Sequence, residues 1–210
     1  MTELLLIRHG ETDWNVQGRF QGQIDVPLNA TGQRQAALMA ERLARERARF
    51  DAMYSSDLLR TRQTAAPAAG RLALEPGLDA MLREQHFGVL EGLSFEEVKA
   101  RHPELLAAWM RHDPDYALPG GESVRAFHAR VVGAIEALAA RHAGERVAIV
   151  THGGVLDMVF RTVHALPLAG PRACPIPNTG LNHLRLRAGG RLEIVAWADD
   201  AHLAQLAPAR

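Results

Sequence analysis

Two histidines in this chain each close an apolar run and open onto glycine, in Leu4-Leu5-Leu6-Ile7-Arg8-His9-Gly10 and again in Val147-Ala148-Ile149-Val150-Thr151-His152-Gly153. A short run of uninterrupted apolar residues, followed by a small-residue turn and a helical pattern, is the trace of a strand buried on both faces of a parallel sheet. The chain is therefore expected to be α/β, a three-layer sandwich with a mostly parallel central sheet flanked by helices. In open sheets of this kind ligands collect at the carboxyl ends of the strands. His9 and His152 are thus expected in one crevice, with Gly10 and Gly153 letting the backbone approach a ligand.

The rest of the chain reads consistently with that frame. Residues 33–44 carry Ala36, Ala37, Ala40, Leu43 and Ala44 at helical spacing, with Thr31 or Asn29 as the cap. Ala52-Met53-Tyr54 reads as a second strand, and Ser55, Ser56 or Asp57 as the cap of a helix that holds Arg60 near its start. Ser94-Phe95-Glu96-Glu97 fits a capping box, Gly120 and Gly121 precede an amphipathic stretch over residues 123–142, and residues 155–163 form a helix after the second histidine. The apolar segments around Ala188-Gly189-Gly190 predict a hairpin at one sheet edge, which faces solvent or pairs with a second copy in a homodimer. Residues 1–210 read as one domain with a short insertion around 101–119, and no internal repeat or linker interrupts them.

Composition removes several functional classes. Hydrophobic residues make up 47% of the chain and charged residues 23%, enough to bury a core without staples. The 24 basic and 24 acidic residues cancel, so neither nucleic acid nor an anionic membrane is an expected partner. The single cysteine, Cys174, excludes an internal disulfide and suits a reducing compartment. The first apolar run stops at Arg8, too short for a signal segment or a spanning helix, so the cytoplasm is the expected location. HExxH, GxSxG and GxxxxGK[ST] patterns are absent, and His102, His112, His128, His142, His164 and His202 sit among charged or helix-surface residues. No metal site is expected.

Arg8 adjoins one histidine and Arg60 arrives from another strand end, so two guanidiniums can fork onto one phosphoryl group. A neutral imidazole is a competent in-line nucleophile toward phosphorus, and a second, cationic imidazole can hold an oxygen. The departing alkoxide needs an acid, for which Glu84 in Leu82-Arg83-Glu84-Gln85-His86-Phe87-Gly88 is the candidate.

Arg8-His9-Gly10-Glu11-Thr12-Asp13-Trp14-Asn15, followed by Gly22-Gln23-Ile24-Asp25-Val26-Pro27-Leu28 and Gly32, resembles the opening signature of the histidine phosphatase (phosphoglycerate-mutase-like) superfamily. Ser55-Ser56-Asp57-Leu58-Leu59-Arg60-Thr61-Arg62-Gln63-Thr64-Ala65, then Glu84, then Thr151-His152-Gly153 resemble its later blocks, in order, so the likeness spans residues 4–160. The resemblance implies His9 as phosphate acceptor, Arg8, Arg60 and His152 as the phosphate pocket, Glu84 as proton donor, and no metal or organic cofactor. It also implies that Asn15 reaches the transferred group and that Gln21 and Gly22 belong to a substrate-facing loop.

Members of such a family either hydrolyse the phosphoenzyme or pass the group to a second substrate oxygen. A mutase must retain a bisphosphate while it turns over, which takes cations beyond the catalytic pocket. Where the glycolytic mutases carry paired arginines this chain has Met110 and Arg111, Phe87 stands near their tyrosine, Ser94 and Phe95 replace their lysine, and Gln21 replaces their small hydroxyl residue. Pro119-Gly120-Gly121-Glu122-Ser123 resembles a motif of the smaller phosphatases. The reading is a phosphomonoesterase acting on a small phosphorylated metabolite; a phosphoglycerate mutase is the alternative, and a phosphate-binding protein without turnover the third. Trp109, Arg111 and Tyr116 are the candidates for specificity.

Overall fold

The computed structural model describes residues 1–46, 49–187 and 189–206. Its centre is a six-stranded sheet built from β1 (Thr2–Arg8), β2 (Ala52–Ser55), β3 (Gly77–Leu78), β4 (Arg146–Thr151), β5 (Leu181–Leu186) and β6 (Leu192–Asp199), in the order β3-β2-β4-β1-β5-β6. The first four strands of that order run parallel, and β5 and β6 add as an antiparallel hairpin at one edge. The hairpin is the expected one; its Ala188 lies outside the described residues.

Alternation of side chains along β1 and β4 feeds two cores. Leu4, Leu6, Val147 and Ile149 pack against α6 (Val124–Arg141) and α7 (Gly153–Val163), through Phe127, Val131, Ile135, Leu156 and Val159. Leu5, Ile7, Ala148 and Val150 face α2 (Ala30–Arg45) and α3 (Leu59–Leu72), through Met39, Ala40, Leu43, Ala65 and Ala68. Helices on both faces of the sheet give the three layers read from the sequence.

A third, smaller core holds Leu90, Val98, Leu106 and Leu118, with Phe20, Phe87, Trp109 and Tyr116 against it. It gathers α4 (Phe95–Arg101), α5 (Pro103–Trp109) and the loops around them, above the carboxyl end of the sheet. Ser94 and Glu97 make the expected capping box at α4, and Arg19 fixes that helix to the α1 (Asp13–Val16) side by bonding the Gly92 carbonyl and the Glu97 carboxylate.

Three local readings need correction. Helix α2 begins at Ala30, three residues early, because Asn29 accepts from the Gly32 N–H. Helix α7 begins at Gly153 rather than at residue 155, so His152 is itself the residue before the helix. At α3 none of Ser55, Ser56 and Asp57 caps the helix; the residue before it is Leu58, and the Leu59 N–H donates instead to Asp25 from a distant loop.

Candidate active site

Strands β1 and β4 are in register, Arg8 opposite Thr151, and the His9 N–H donates to the Thr151 carbonyl at 2.9 Å. The two histidines that follow therefore emerge side by side, with ring centroids 5.3 Å apart and planes inclined by 60°. Ser56 comes off the adjacent β2, where its N–H bonds the Val150 carbonyl, and its hydroxyl meets His152 Nε2 at 2.9 Å. The sheet thus aligns Ser56, His152 and His9 across three neighbouring strand ends.

His9 is almost wholly buried, and its Nδ1 lies 2.7 Å from the Gly10 carbonyl oxygen. A carbonyl only accepts, so Nδ1 carries the ring proton and Nε2 keeps its lone pair toward the cleft. Burial, with Arg60 and Arg8 nearby, holds the His9 imidazole well below its usual pKa and therefore neutral. The same forces act on His152, burial first and then Arg60. The sequence reading gave the second imidazole a positive charge; in the free protein it is neutral, because the low-dielectric interior and two guanidiniums both oppose protonation.

The arginines are anchored rather than free. Arg60, fully buried, donates to the Gly22 carbonyl at 2.7 Å and the Ile24 carbonyl at 2.9 Å, and Arg8 donates to the Ile176 carbonyl at 2.7 Å. Burial lowers each guanidinium to about 10, leaving both cationic at neutral pH. Arg8 Nε, Arg60 Nε and His152 Nδ1 are buried without a hydrogen-bond partner among the described residues. Leaving a buried donor unsatisfied costs roughly 1–3 kcal/mol, so several in one place mark a site built for an acceptor-rich anion.

Glu84 faces this centre from the loop after β3, with its carboxylate accepting from the N–H groups of Gly154 and Gln85, both at 2.9 Å. Glycine at position 154 leaves the carboxylate its place, since an added Cβ would stand 2.1 Å from Glu84 Oε1. Gly22, at φ +50°, is likewise required: a Cβ there would meet the Glu91 carboxylate, which also holds the N–H groups of Gln23 and Phe87.

Arg8, His9, Asn15, Gln21, Gly22, Arg60, Glu84 and Gly153 all line one cleft of about 230 Å³. His152 does not; it sits behind His9 with no exposed surface. Asn15 reaches the cleft while its Oδ1 accepts from the Thr12 N–H and hydroxyl. Gly10 serves a different purpose from the expected one: a Cβ would come within 2.6 Å of the Gly32 carbonyl oxygen, so it allows α2 to approach the strand end rather than a ligand.

A second cavity of about 370 Å³ shares Glu84, Phe87 and Arg172 with the first. Of the three candidates for specificity, Trp109 and Tyr116 line it, while Arg111 is solvent-exposed and lines neither. Sequence reasoning missed Arg172. Its one signal is isolation: it is the only charged residue between Ala165 and Gly180.

A family model for the histidine phosphatase superfamily (branch 1) matches residues 4–200. The chain belongs to the histidine phosphatase superfamily. Within it, the chain is 39% identical over 208 residues to metal-independent phosphoserine phosphatase of Arabidopsis thaliana, covering 98% of this chain and 85% of that one. It is 38% identical over 203 residues to phosphoglycerate mutase-like protein 4 of the same plant, covering 96% and 86%. Among solved structures, Bacillus stearothermophilus YhfR superposes with a TM-score of 0.89 at 32% identity, covering 97% of this chain and all of that one. For a histidine phosphatase, this cleft has its polar groups in the expected region, at the carboxyl ends of β1, β2 and β4.

Proposed function

We propose that the protein is a cytoplasmic, metal-independent phosphomonoesterase of small phosphorylated metabolites that works through a phosphohistidine at His9. The observation that carries this reading is the Nδ1 bond of His9 to the Gly10 carbonyl, which leaves a neutral Nε2 lone pair beside two anchored guanidiniums. The phosphoryl oxygens take up the free N–H groups of Arg8 and Arg60, and His152, whose Nε2 accepts a hydrogen bond from the Ser56 hydroxyl, keeps its unpartnered Nδ1–H for the same group. Nε2 of His9 attacks phosphorus in line, the P–O bond to the alcohol breaks, and the Glu84 carboxyl gives its proton to the leaving oxygen. Water then attacks the phosphohistidine, Glu84 takes its proton, the P–N bond breaks, and inorganic phosphate leaves. Asn15, Gln21 and Gly153 line the same space and contact the bound ester, while Gly22 acts through its carbonyl on Arg60.

The segment over residues 101–119 closes the alcohol side of the cleft, through Trp109 and Tyr116. Hydrolysis, rather than transfer, is supported by the lack of paired arginines at 110–111 and by the exposure of Arg111 away from both cavities. The test is turnover of a panel of phosphate esters with chelator present, in the wild type, His9→Ala and Glu84→Gln. His9→Ala is expected to fold and lose nearly all turnover. Glu84→Gln should slow esters of poor leaving groups far more than an activated aryl phosphate. Activity abolished by chelator, or retained by His9→Ala, overturns the mechanism; fast isomerisation of 3-phosphoglycerate at constant organic phosphate overturns the preference for hydrolysis.

A further inference from the structure

We propose that Arg172 binds a second anionic group on the alcohol portion of the substrate, so that the enzyme prefers phosphate esters bearing a carboxylate or a further phosphate over esters of neutral alcohols. The inference deepens the reading above and rests on phosphoryl binding beside His9. Arg172 stands in the wall common to the catalytic cleft and the larger aromatic cavity. Its distance from the phosphoryl site is short: a Cβ on Gly153 would lie 3.1 Å from Arg172 Nη2 and 3.4 Å from Arg8 Nε.

Charge decides what such a residue is for. Arg8 and Arg60 supply two positive charges for a phosphoryl dianion. Arg172 is a third guanidinium at the cleft, and unlike Arg8 and Arg60 it spends none of its donors on described carbonyls or carboxylates. The guanidinium fork matches a carboxylate or phosphate oxygen pair. A neutral alcohol would leave it facing an aromatic cavity without a partner.

The loop around Arg172 is held for the purpose. Arg161 and Asp157, nearly buried on α7, form an ion pair at 2.8 Å. Arg161 donates onward to the carbonyls of Pro167, Ala169, Gly170 and Pro171, and Asp157 accepts from the Ala173 N–H at 2.9 Å. The residues on both sides of Arg172 are therefore pinned to one helix, which pre-organises the position from which its side chain reaches the cleft. Trp109 and Tyr116 line the same cavity and would pack on the carbon skeleton between the two anions.

The experiment compares kcat/KM for O-phosphoserine and 3-phosphoglycerate, for a sugar bisphosphate, and for glycerol phosphate and p-nitrophenyl phosphate, in the wild type, Arg172→Ala and Arg172→Lys. In Arg172→Ala the ratio of kcat/KM for anionic over neutral esters is expected to fall by about 10- to 100-fold, mainly through KM, and Arg172→Lys should recover part of it. The class whose ratio falls, carboxylate or bisphosphate, identifies the group bound. A ratio unchanged for both classes overturns the proposal. Calorimetric binding of the same esters to His9→Ala and to His9→Ala/Arg172→Ala gives a readout without turnover. Selective weakening there, alongside an inactive wild type, would sink the proposed reaction and leave the anion site standing; equal weakening for all esters would sink the anion site.

Discussion

At the scale of single residues, the chemistry depends on where protons are kept away. His9 and His152 are pressed toward neutrality by burial and by the neighbouring guanidiniums, so a nucleophile is available well below the pH at which an exposed histidine would be lost. We expect the His9 ring resonances of the free protein to titrate well below the value of about 6.5 for an ordinary histidine. An inflection near 6.5 in an NMR titration would contradict the electrostatics described here. The glycines separate two kinds of constraint. In Gly154→Ala the new methyl group clashes with the end of the Glu84 side chain and otherwise only presses on Phe127 Cε1 at 3.2 Å, so the variant should fold and melt near wild type while losing turnover of esters with poor leaving groups. In Gly32→Ala the methyl group would stand 2.1 Å from the Glu11 carbonyl oxygen, against backbone that has no rotamer to change. Its cost should appear in stability, at roughly 2 kcal/mol or more, in the range of overpacked cores, read by denaturant unfolding.

At the scale of elements, α7 does three things at once. Its N-terminal glycines admit Glu84 and Arg8, its apolar face fills one core, and its Asp157–Arg161 pair organises the loop that carries Arg172. Removing one member of a buried pair strands the other, a loss of about 3–5 kcal/mol. Asp157→Ala should therefore lower the melting temperature and raise KM for anionic esters in the same variant. A normal melt with an altered KM would separate the two roles. Helix α3 illustrates how elements borrow from each other: its first N–H is satisfied by Asp25, 34 residues earlier in the chain. The sequence offered three local cap candidates, Ser55, Ser56 and Asp57, and propensity had no means of preferring a distant carboxylate over them.

At the scale of the whole molecule, stability should depend on pH through the same buried imidazoles. They stay neutral in the folded state but titrate near about 6.5 when unfolded, so the unfolded chain takes up more protons as pH falls. Stability is then full above that value and declines as pH drops below it, with His128, His183 and His202, also lowered by burial, adding to the slope. Thermal melts at pH 7.5 and about pH 5.5 should show the decline, and the double variant His9→Gln/His152→Gln should flatten it; a midpoint rising toward acid would refute the assignment.

The class of fold, the mostly parallel sheet, the edge hairpin and the meeting of the two histidines were all legible in the chain alone, because they follow from short-range periodicity and turn chemistry. The tertiary structure alone decided that His152 stands behind His9, that Gly10 makes room for a helix, and that Arg172 joins the cleft. Those facts rest on contacts between residues far apart in the chain, such as Arg8 with the Ile176 carbonyl across 168 positions, and local patterns of hydropathy and propensity carry no record of which distant side chain arrives.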